Sequence, residues 1–305
     1  MTHFRVAVDI GGTFTDICIL DERDNSLQIA KVPTSEDPID AAFEGMEKAG
    51  VDLSDVSLFS HGTTVATNAL IQRNLPHSAM VTTEGFRDIV EIGNSTKEDL
   101  WDAYKDNPPA YIRRRDRLTI SERTSANGSV EKTINKKQAQ SLARILRKRK
   151  YEAVAICFMN SYTNPANELW LKEFLEKELP GVAISTSAQV LPEIFEHDRF
   201  STAVVNAILR PVVGDYSLRL QQRLGDGGYR SDVLLLHSGG GVMTPKTIDF
   251  QAARLASSGI AAGAIANRYI GKLCGFPNVI GFDMGGTSTD VSMTFDHEMA
   301  TTRDW

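Results

Sequence analysis

Cysteine is scarce in this chain of 305 residues, and the few present are badly placed for most cysteine chemistry. Cys18, Cys157 and Cys274 lie far apart, each within an apolar run. They form neither a metal-ligand spacing nor an even-numbered disulfide framework, so they read as buried thiols in a reducing compartment. An excess of positive charge is also missing. The formal net charge is −6, which gives no support to partners such as nucleic acid or an anionic membrane. No uninterrupted apolar run approaches the ~20 residues that a bilayer-spanning helix needs. A strand pattern begins at Phe4, leaving no room for a signal peptide, so a cytoplasmic protein is expected. No low-complexity linker divides the chain. What remains is a soluble globular composition, 42% hydrophobic and 24% charged, with room for about two domains at ~150 residues each.

Short apolar runs alternate with helical patterns, which predicts an α/β fold with mixed, partly parallel sheets. FRVAVDI, DICILDE and SLQIAKVPT read as a meander of strands, and DPIDAAFEGMEKAG as a helix started at Asp37 or Pro38 and stopped by Gly50. VSLFSHG reads as a strand, TTVATNALIQRN as a helix and HSAMVTTEG as another strand. Residues 94–135 are polar and read as an insertion with a hairpin at Ala126-Asn127-Gly128. Its run Arg113 to Arg115 reads as a solvated face, with a phosphate site as the functional alternative. An amphipathic helix, KKQAQSLARILRKRK, follows, then the strand YEAVAICFMN, the helix NPANELWLKEFLEKELPG and the strand VAISTSAQV. From about residue 199 the pattern restarts with one or two helices. The expected domains are therefore 1–190 and 191–305.

The chain writes one motif twice. DIGGTFTD runs from Asp9 to Asp16, and DMGGTSTD from Asp283 to Asp290. The copies differ only at Ile10/Met284 and Phe14/Ser288. An Asp ending a strand before Gly-Gly-Thr suits a phosphate cradle. Gly11 and Gly12 allow a tight turn and close approach of the backbone. Their N–H groups, with the hydroxyls of Thr13 and Thr15, can donate to phosphate oxygens. Asp9 can hold Mg²⁺ through water, and Asp16 is a second acidic ligand or a turn cap. Asp283, Gly285, Gly286, Thr287, Thr289 and Asp290 repeat these roles. A pair of capped Gly-Gly turns is the structural alternative. Two matching copies favour a nucleotide triphosphate held in the cleft between two similar domains.

Other candidates are less specific. In SHGTTVATNALIQR a strand meets a helix, where free N–H groups favour an anion. His61 could donate to a substrate carbonyl or act as an acid or base, or be a satisfied histidine beside a helix cap. Thr63, Thr64 and Asn68 lie beside it. EIFEHDR gathers Glu193, Glu196, His197, Asp198 and Arg199 at a spacing that fits no standard metal motif; a salt-bridged interdomain element and a substrate contact are both open. HSGGGVM, residues 237–243, allows close ligand approach but is a weak signal.

IGGTFTD, SHGTTVATNALIQR, TTEGFRDIVEIG, EHDRFSTAVVNA and DMGGTSTDVS, in this order, resemble the amino-terminal half of the hydantoinase A / 5-oxoprolinase family. The paired loops look like the phosphate-1 and phosphate-2 loops of the actin, sugar-kinase and Hsp70 ATPases. The resemblance implies ribonuclease H-like, actin-like lobes, with ATP and Mg²⁺ as cofactors. It implies phosphorylation of an unreactive carbonyl or amide oxygen, then either ring-opening of a cyclic amide such as a hydantoin or 5-oxoproline, or carboxylation of a ketone with bicarbonate. It also implies catalytic roles for Asp9 and Asp283, and a second large subunit of hydantoinase B type. A non-catalytic assembly module is a third reading, and a sugar kinase a weaker fourth. Ile260 departs from the family's Ser-Gly-Pro pattern. In relatives the portion after the second phosphate loop completes the second domain and the adenosine pocket, so these 305 residues alone are expected to bind nucleotide poorly.

Overall fold

The computed structural model describes residues 2–11, 13–35, 37–94, 101–102, 104, 108–284 and 289–300. In chain order the strands are β1 Phe4–Ile10, β2 Phe14–Asp21, β3 Ser26–Pro33, β4 Val56–Thr63, β5 Ser78–Thr83, β6 Arg117–Ile120, β7 Arg123–Thr124, β8 Val130–Lys132, β9 Ala153–Cys157, β10 Ala183–Thr186, β11 Leu234–Leu236, β12 Val242–Met243, β13 Val279–Met284, β14 Thr289–Phe295 and β15 Glu298–Met299. The helices are α1 Pro38–Lys48, α2 Val65–Gln72, α3 Ile89–Ile92, α4 Lys136–Lys148, α5 Ala166–Glu178, α6 Ser187–Val190, α7 Glu196–Asp226, α8 Ile248–Gln251 and α9 Ser258–Leu273. Two units emerge. One comprises Met1–Asn68, Asp215–Thr247 and Arg254–Trp305, the other Ala69–Gly214 with Ile248–Ala253.

The first unit holds a mixed sheet in the order β12-β11-β4-β1-β2-β3. Strands β1, β2 and β3 form the expected antiparallel meander, and β4 joins β1 in parallel. Alternation along β1 sends Val6, Val8 and Ile10 inward and leaves Asp9 on the other face. Helix α1 covers the inward face with Ile39, Ala41, Ala42 and Met46. Its cap is the predicted one: the Asp37 carboxylate accepts from the N–H of Ile39 at 3.1 Å. Gly50, at φ 69°, follows its end. The same unit contains a second sheet, β13-β14-β15, on which α9 packs.

The second unit is built on a parallel sheet, β10-β9-β5-β6. Every residue of β5 and β9 is buried, as parallel strands covered on both faces should be. Ala139, Leu142, Ala143 and Leu146 of α4 and Leu171 and Leu175 of α5 pack into one core. Phe200, Ala203, Val204 and Ala207 of α7 build another, with Met80 and Ala155.

Several expectations are corrected. Residues 94–135 are not wholly a polar insertion: β6 lies in the parallel sheet, and Ile112 and Ile120 are buried. The hairpin around Gly128 does form, as β7–β8. The helical pattern from residue 199 is a single 31-residue helix, starting at Glu196 and running through Pro211. VAISTSAQV is a short strand and then a turn of helix. The two units change over within α2 and α7, and the chain returns to lay β11 beside β4. Cys157 is buried as expected, but Cys18 is half-buried and Cys274 exposed. Among the described residues no helix is long and apolar enough to cross a membrane.

Candidate functional site

Sheet register builds the site around Asp9. Asp9 pairs with Asp16 on β2 and with Gly62 on β4, and Asp16 pairs with Lys31 on β3. Paired residues share a face, so these side chains form one row across the sheet. Lys31 Nζ lies 2.8 Å from both carboxylate oxygens of Asp16. A Cβ at Gly62 would stand 3.0 Å from Asp9 Oδ1, so the carboxylate packs directly on the glycine. Asp9 still reaches solvent at its edge, yet its carboxyl is held above the usual range. Burial contributes most, then the charges of Asp16 and Asp283, with Lys31 opposing. The two motif copies, remote in sequence, therefore feel each other at the carboxylates that begin them.

The turn after Asp9 is braced from behind. Gly11 N–H donates to Phe14 O at 3.0 Å. The Thr34 hydroxyl donates to Gly11 O at 2.9 Å and lies 3.1 Å from the hydroxyl of Thr15. Thr34 N–H donates to Thr13 O at 3.0 Å. Thr15 is wholly buried. Its hydroxyl thus serves the turn from the core side, a correction to its expected place on a phosphate, whereas Thr13 is exposed. The second copy has the same register, with Asp283 opposite Asp290 and Thr289 opposite Met284. Asp283 and Thr289 are exposed, and the Asp290 carboxyl is raised by burial and by Asp283. Gly12, Gly285, Gly286 and Thr287 lie outside the described residues.

His61 needs the largest correction. It follows the pleat of β4 to the core face, opposite to that of Asp9, because its register partner is the buried Val8. It is 0% exposed. Its Nδ1 lies 3.1 Å from Val8 O, and Nε2 lies 2.7 Å from the Tyr216 hydroxyl. The carbonyl can only accept, so Nδ1 carries the proton and Nε2 accepts from Tyr216. Burial pushes its pKa down to about 4. It is a neutral core histidine, with neither ring nitrogen free for substrate.

Thr63, Thr64 and Asn68 tie elements together beside the turn. Thr64 Oγ1 donates to Ile10 O at 3.2 Å and accepts from Asn68 Nδ2 at 3.2 Å. Thr63 is buried, its hydroxyl accepting from Val65 N–H and its carbonyl from Ser258 Oγ. Ser257 N–H donates to Thr67 Oγ1 at 2.8 Å, so the start of α9 is docked on the same corner. From there an open cavity of about 440 Å³ extends between α9 and the β13–β14 hairpin, lined by Gly259, Gly263, Asn267, Asp283, Asp290 and Ser292. Ile260 also lines it. Among the described residues no three His, Cys, Asp or Glu side chains form a direct metal cage. Magnesium held mostly through water by one or two carboxylates needs none.

Glu196 and Arg199 belong to the second unit. Arg199 is 0% exposed and lies within 3.3 Å of Glu196 Oε1. It donates to the carbonyls of Glu193 and Phe158, both at 2.9 Å, and to Ser187 Oγ at 3.2 Å. Ser187 in turn donates to the buried Glu168. Arg199 is therefore ion-paired and buried within the second unit. Arg199→Ala is expected to cost about 3–5 kcal/mol in urea unfolding, because it strands buried partners. Unchanged stability with reduced turnover would contradict this. The glycines of residues 237–243 also have a local reason. Gly239 N–H donates to His237 Nδ1 at 3.0 Å, and a Cβ at Gly241 would stand 2.8 Å from His237 Nε2. The loop closes on its own histidine.

The family model for the hydantoinase/oxoprolinase N-terminal region matches residues 5–179, and that for hydantoinase/oxoprolinase matches residues 199–304. The uncharacterized protein MJ0964 of Methanocaldococcus jannaschii is 36% identical over 99% of this chain and 45% of its own length. The acetophenone carboxylase gamma subunit of Aromatoleum aromaticum is 29% identical over 95% of this chain and 42% of its own. The crystal structure of the ATP-dependent caprolactamase from Pseudomonas jessenii superimposes with a TM-score of 0.82 at 31% identity, covering 95% of this chain and 43% of that one. The chain thus spans less than half the length of these relatives. The fold is α/β with mixed sheets of the actin-like ATPase type.

Proposed function

This chain belongs to the hydantoinase/oxoprolinase family, and from that premise we propose that it is the ATP-dependent part of an enzyme that activates a cyclic amide for ring-opening hydrolysis. The amide oxygen attacks the γ-phosphorus of ATP and ADP leaves. Water then adds to the activated carbon, the ring C–N bond opens with the proton going to nitrogen, and a second water hydrolyses the resulting acyl phosphate to the carboxylate and free phosphate. An amide oxygen is a poor leaving group and a phosphate a good one, so the protein's task is to position phosphates and offset their charge. The observation that carries the reading is the raised Asp9 carboxyl with Asp16 and Asp283 near it. Such a crowd of carboxylates is suited to a divalent cation. Asp9 and Asp283 would hold Mg²⁺ through water, and the ion would supply charge neutralisation at the phosphates. Thr13, Thr289 and the Gly-Gly turns would hold phosphate oxygens, and Thr64 and Asn68 keep the first turn in place. Lys31, absent from the sequence expectations, would set the orientation of Asp16.

A ketone carboxylase subunit is the second reading, favoured by the likeness to the acetophenone carboxylase gamma subunit. A second large subunit of hydantoinase B type is the expected partner in both, and a cytoplasmic location fits both. The test uses the full-length protein with its co-purifying subunits. ADP release coupled to opening of a lactam or hydantoin, independent of bicarbonate, is expected. ADP release that requires a ketone and bicarbonate would replace the first reading with the second. No turnover with all subunits present would leave an assembly module.

A further inference from the structure

A second cleft, of about 580 Å³, opens in the second unit between β6 and α4. Its rim is cationic, with Arg87, Arg115, Lys137 and Arg149. Its floor is apolar, with Leu118, Leu142 and Ile145. This basic face belongs to a chain whose net charge is −6. The sequence concentrates charge here: twelve of the 33 lysines and arginines fall within residues 113–117 and 132–150, and no acidic side chain occurs between Glu131 and Glu152.

The cations at the rim are not all neutralised. Arg117, which also lines the cleft, is paired with Glu91, and the neighbouring Arg114 with Asp88. Asp116 lies between Arg115 at 3.5 Å and Arg149 at 3.9 Å, and also accepts from the Tyr151 hydroxyl at 2.6 Å. Glu84 is the other carboxylate at the cleft. Among the described residues Arg87 and Lys137 have no ion-pair partner. Four rim cations against two carboxylates leave an excess of positive charge beside an apolar floor. Guanidinium groups present paired N–H donors to phosphate oxygens. The volume lies within the range of small-molecule sites, roughly 300–1,000 Å³.

We propose that this cleft binds a small organic phosphate, its dianionic head among Arg87, Arg115, Lys137 and Arg149 and its apolar body on Leu118, Leu142 and Ile145. The site is separate from the phosphate turns at Asp9 and Asp283 and does not depend on the reaction proposed above.

The test is calorimetric titration of the full-length protein with naphthyl phosphate, with inorganic phosphate and naphthol as comparators. Naphthyl phosphate is expected to bind, with affinity lower by about tenfold or more in Arg115→Ala/Lys137→Ala and unchanged in Asp9→Asn. Both rim residues are exposed, so the double variant should fold. Inorganic phosphate should bind at least about tenfold more weakly, lacking contact with the floor. The proposal is overturned if naphthyl phosphate does not bind, or if binding is lost in Asp9→Asn and kept in the double variant. Equal affinity for inorganic phosphate overturns the organic class. Tighter competition by a polyglutamate peptide overturns it in favour of an acidic protein segment.

Discussion

Asp9→Asn is expected to lower ATP-dependent turnover about a thousandfold, the order set by losing several kcal/mol of metal-assisted charge stabilisation. The same substitution should raise the stability of the nucleotide-free protein at pH 7. The folded Asp9 carboxyl lies above its unfolded value, raised first by burial and then by Asp16 and Asp283. A raised carboxyl makes ionisation harder in the folded state, so its charge opposes folding above the folded pKa. Stability is regained as pH falls through that pKa towards the unfolded value of 3.8. Asn carries no charge at any pH and removes the conflict. Turnover assays and urea unfolding on the same preparations read both effects. Turnover within about tenfold of wild type would remove Asp9 from the phosphoryl chemistry. Loss of turnover together with loss of stability would make Asp9 a structural residue.

Acidification should destabilise the protein through His61 by about 3 kcal/mol between pH 6.5 and 4, following from a 6.5 unfolded pKa and a folded one of about 4. The sign is fixed by proton binding. In this window the unfolded histidine takes up a proton and the folded one does not, so stability falls as pH falls. Above pH 6.5 both are neutral and the contribution is complete. Other groups titrate in the same window; Glu122, raised by burial, works in the opposite direction. The His61 share is therefore read as the difference between wild type and His61→Gln, unfolded in urea across the window. The variant should be less stable at pH 7 and show a shallower acid slope. An identical slope would mean that His61 is solvated or already charged. Tyr216→Phe removes the donor to Nε2 but keeps the burial that holds the histidine neutral, so most of the acid slope should remain.

Much of the fold is written in local pattern. The meander β1–β3 follows from alternation and a Gly-Gly turn, and α1 from an Asp cap and a terminal glycine. The fully apolar β9 announces a strand covered on both faces. Two parts of the chain are read less well. β6 lies in a stretch whose arginines mask two buried isoleucines, so composition alone gives it to the surface. The return of the chain as β11 beside β4 involves only a short strand, and nothing local specifies its partner.

The candidate site divides along the same line. Asp9, Asp16, Asp283 and Asp290 are legible because a whole motif occurs twice, and chance rarely repeats such a spacing. Lys31 and Thr34 are not legible, since only sheet register sets Lys31 against Asp16 and Thr34 behind Gly11. His61 and Arg199 look reactive as residue types, and both are buried and fully partnered. A strand reverses the direction of its side chains at each residue, so one position separates a carboxylate facing solvent from a histidine facing the core. By itself the sequence determined most of the elements and that two related turns exist. Only the tertiary structure decided which side of each strand faces solvent, because that choice is made by packing between residues far apart in the chain.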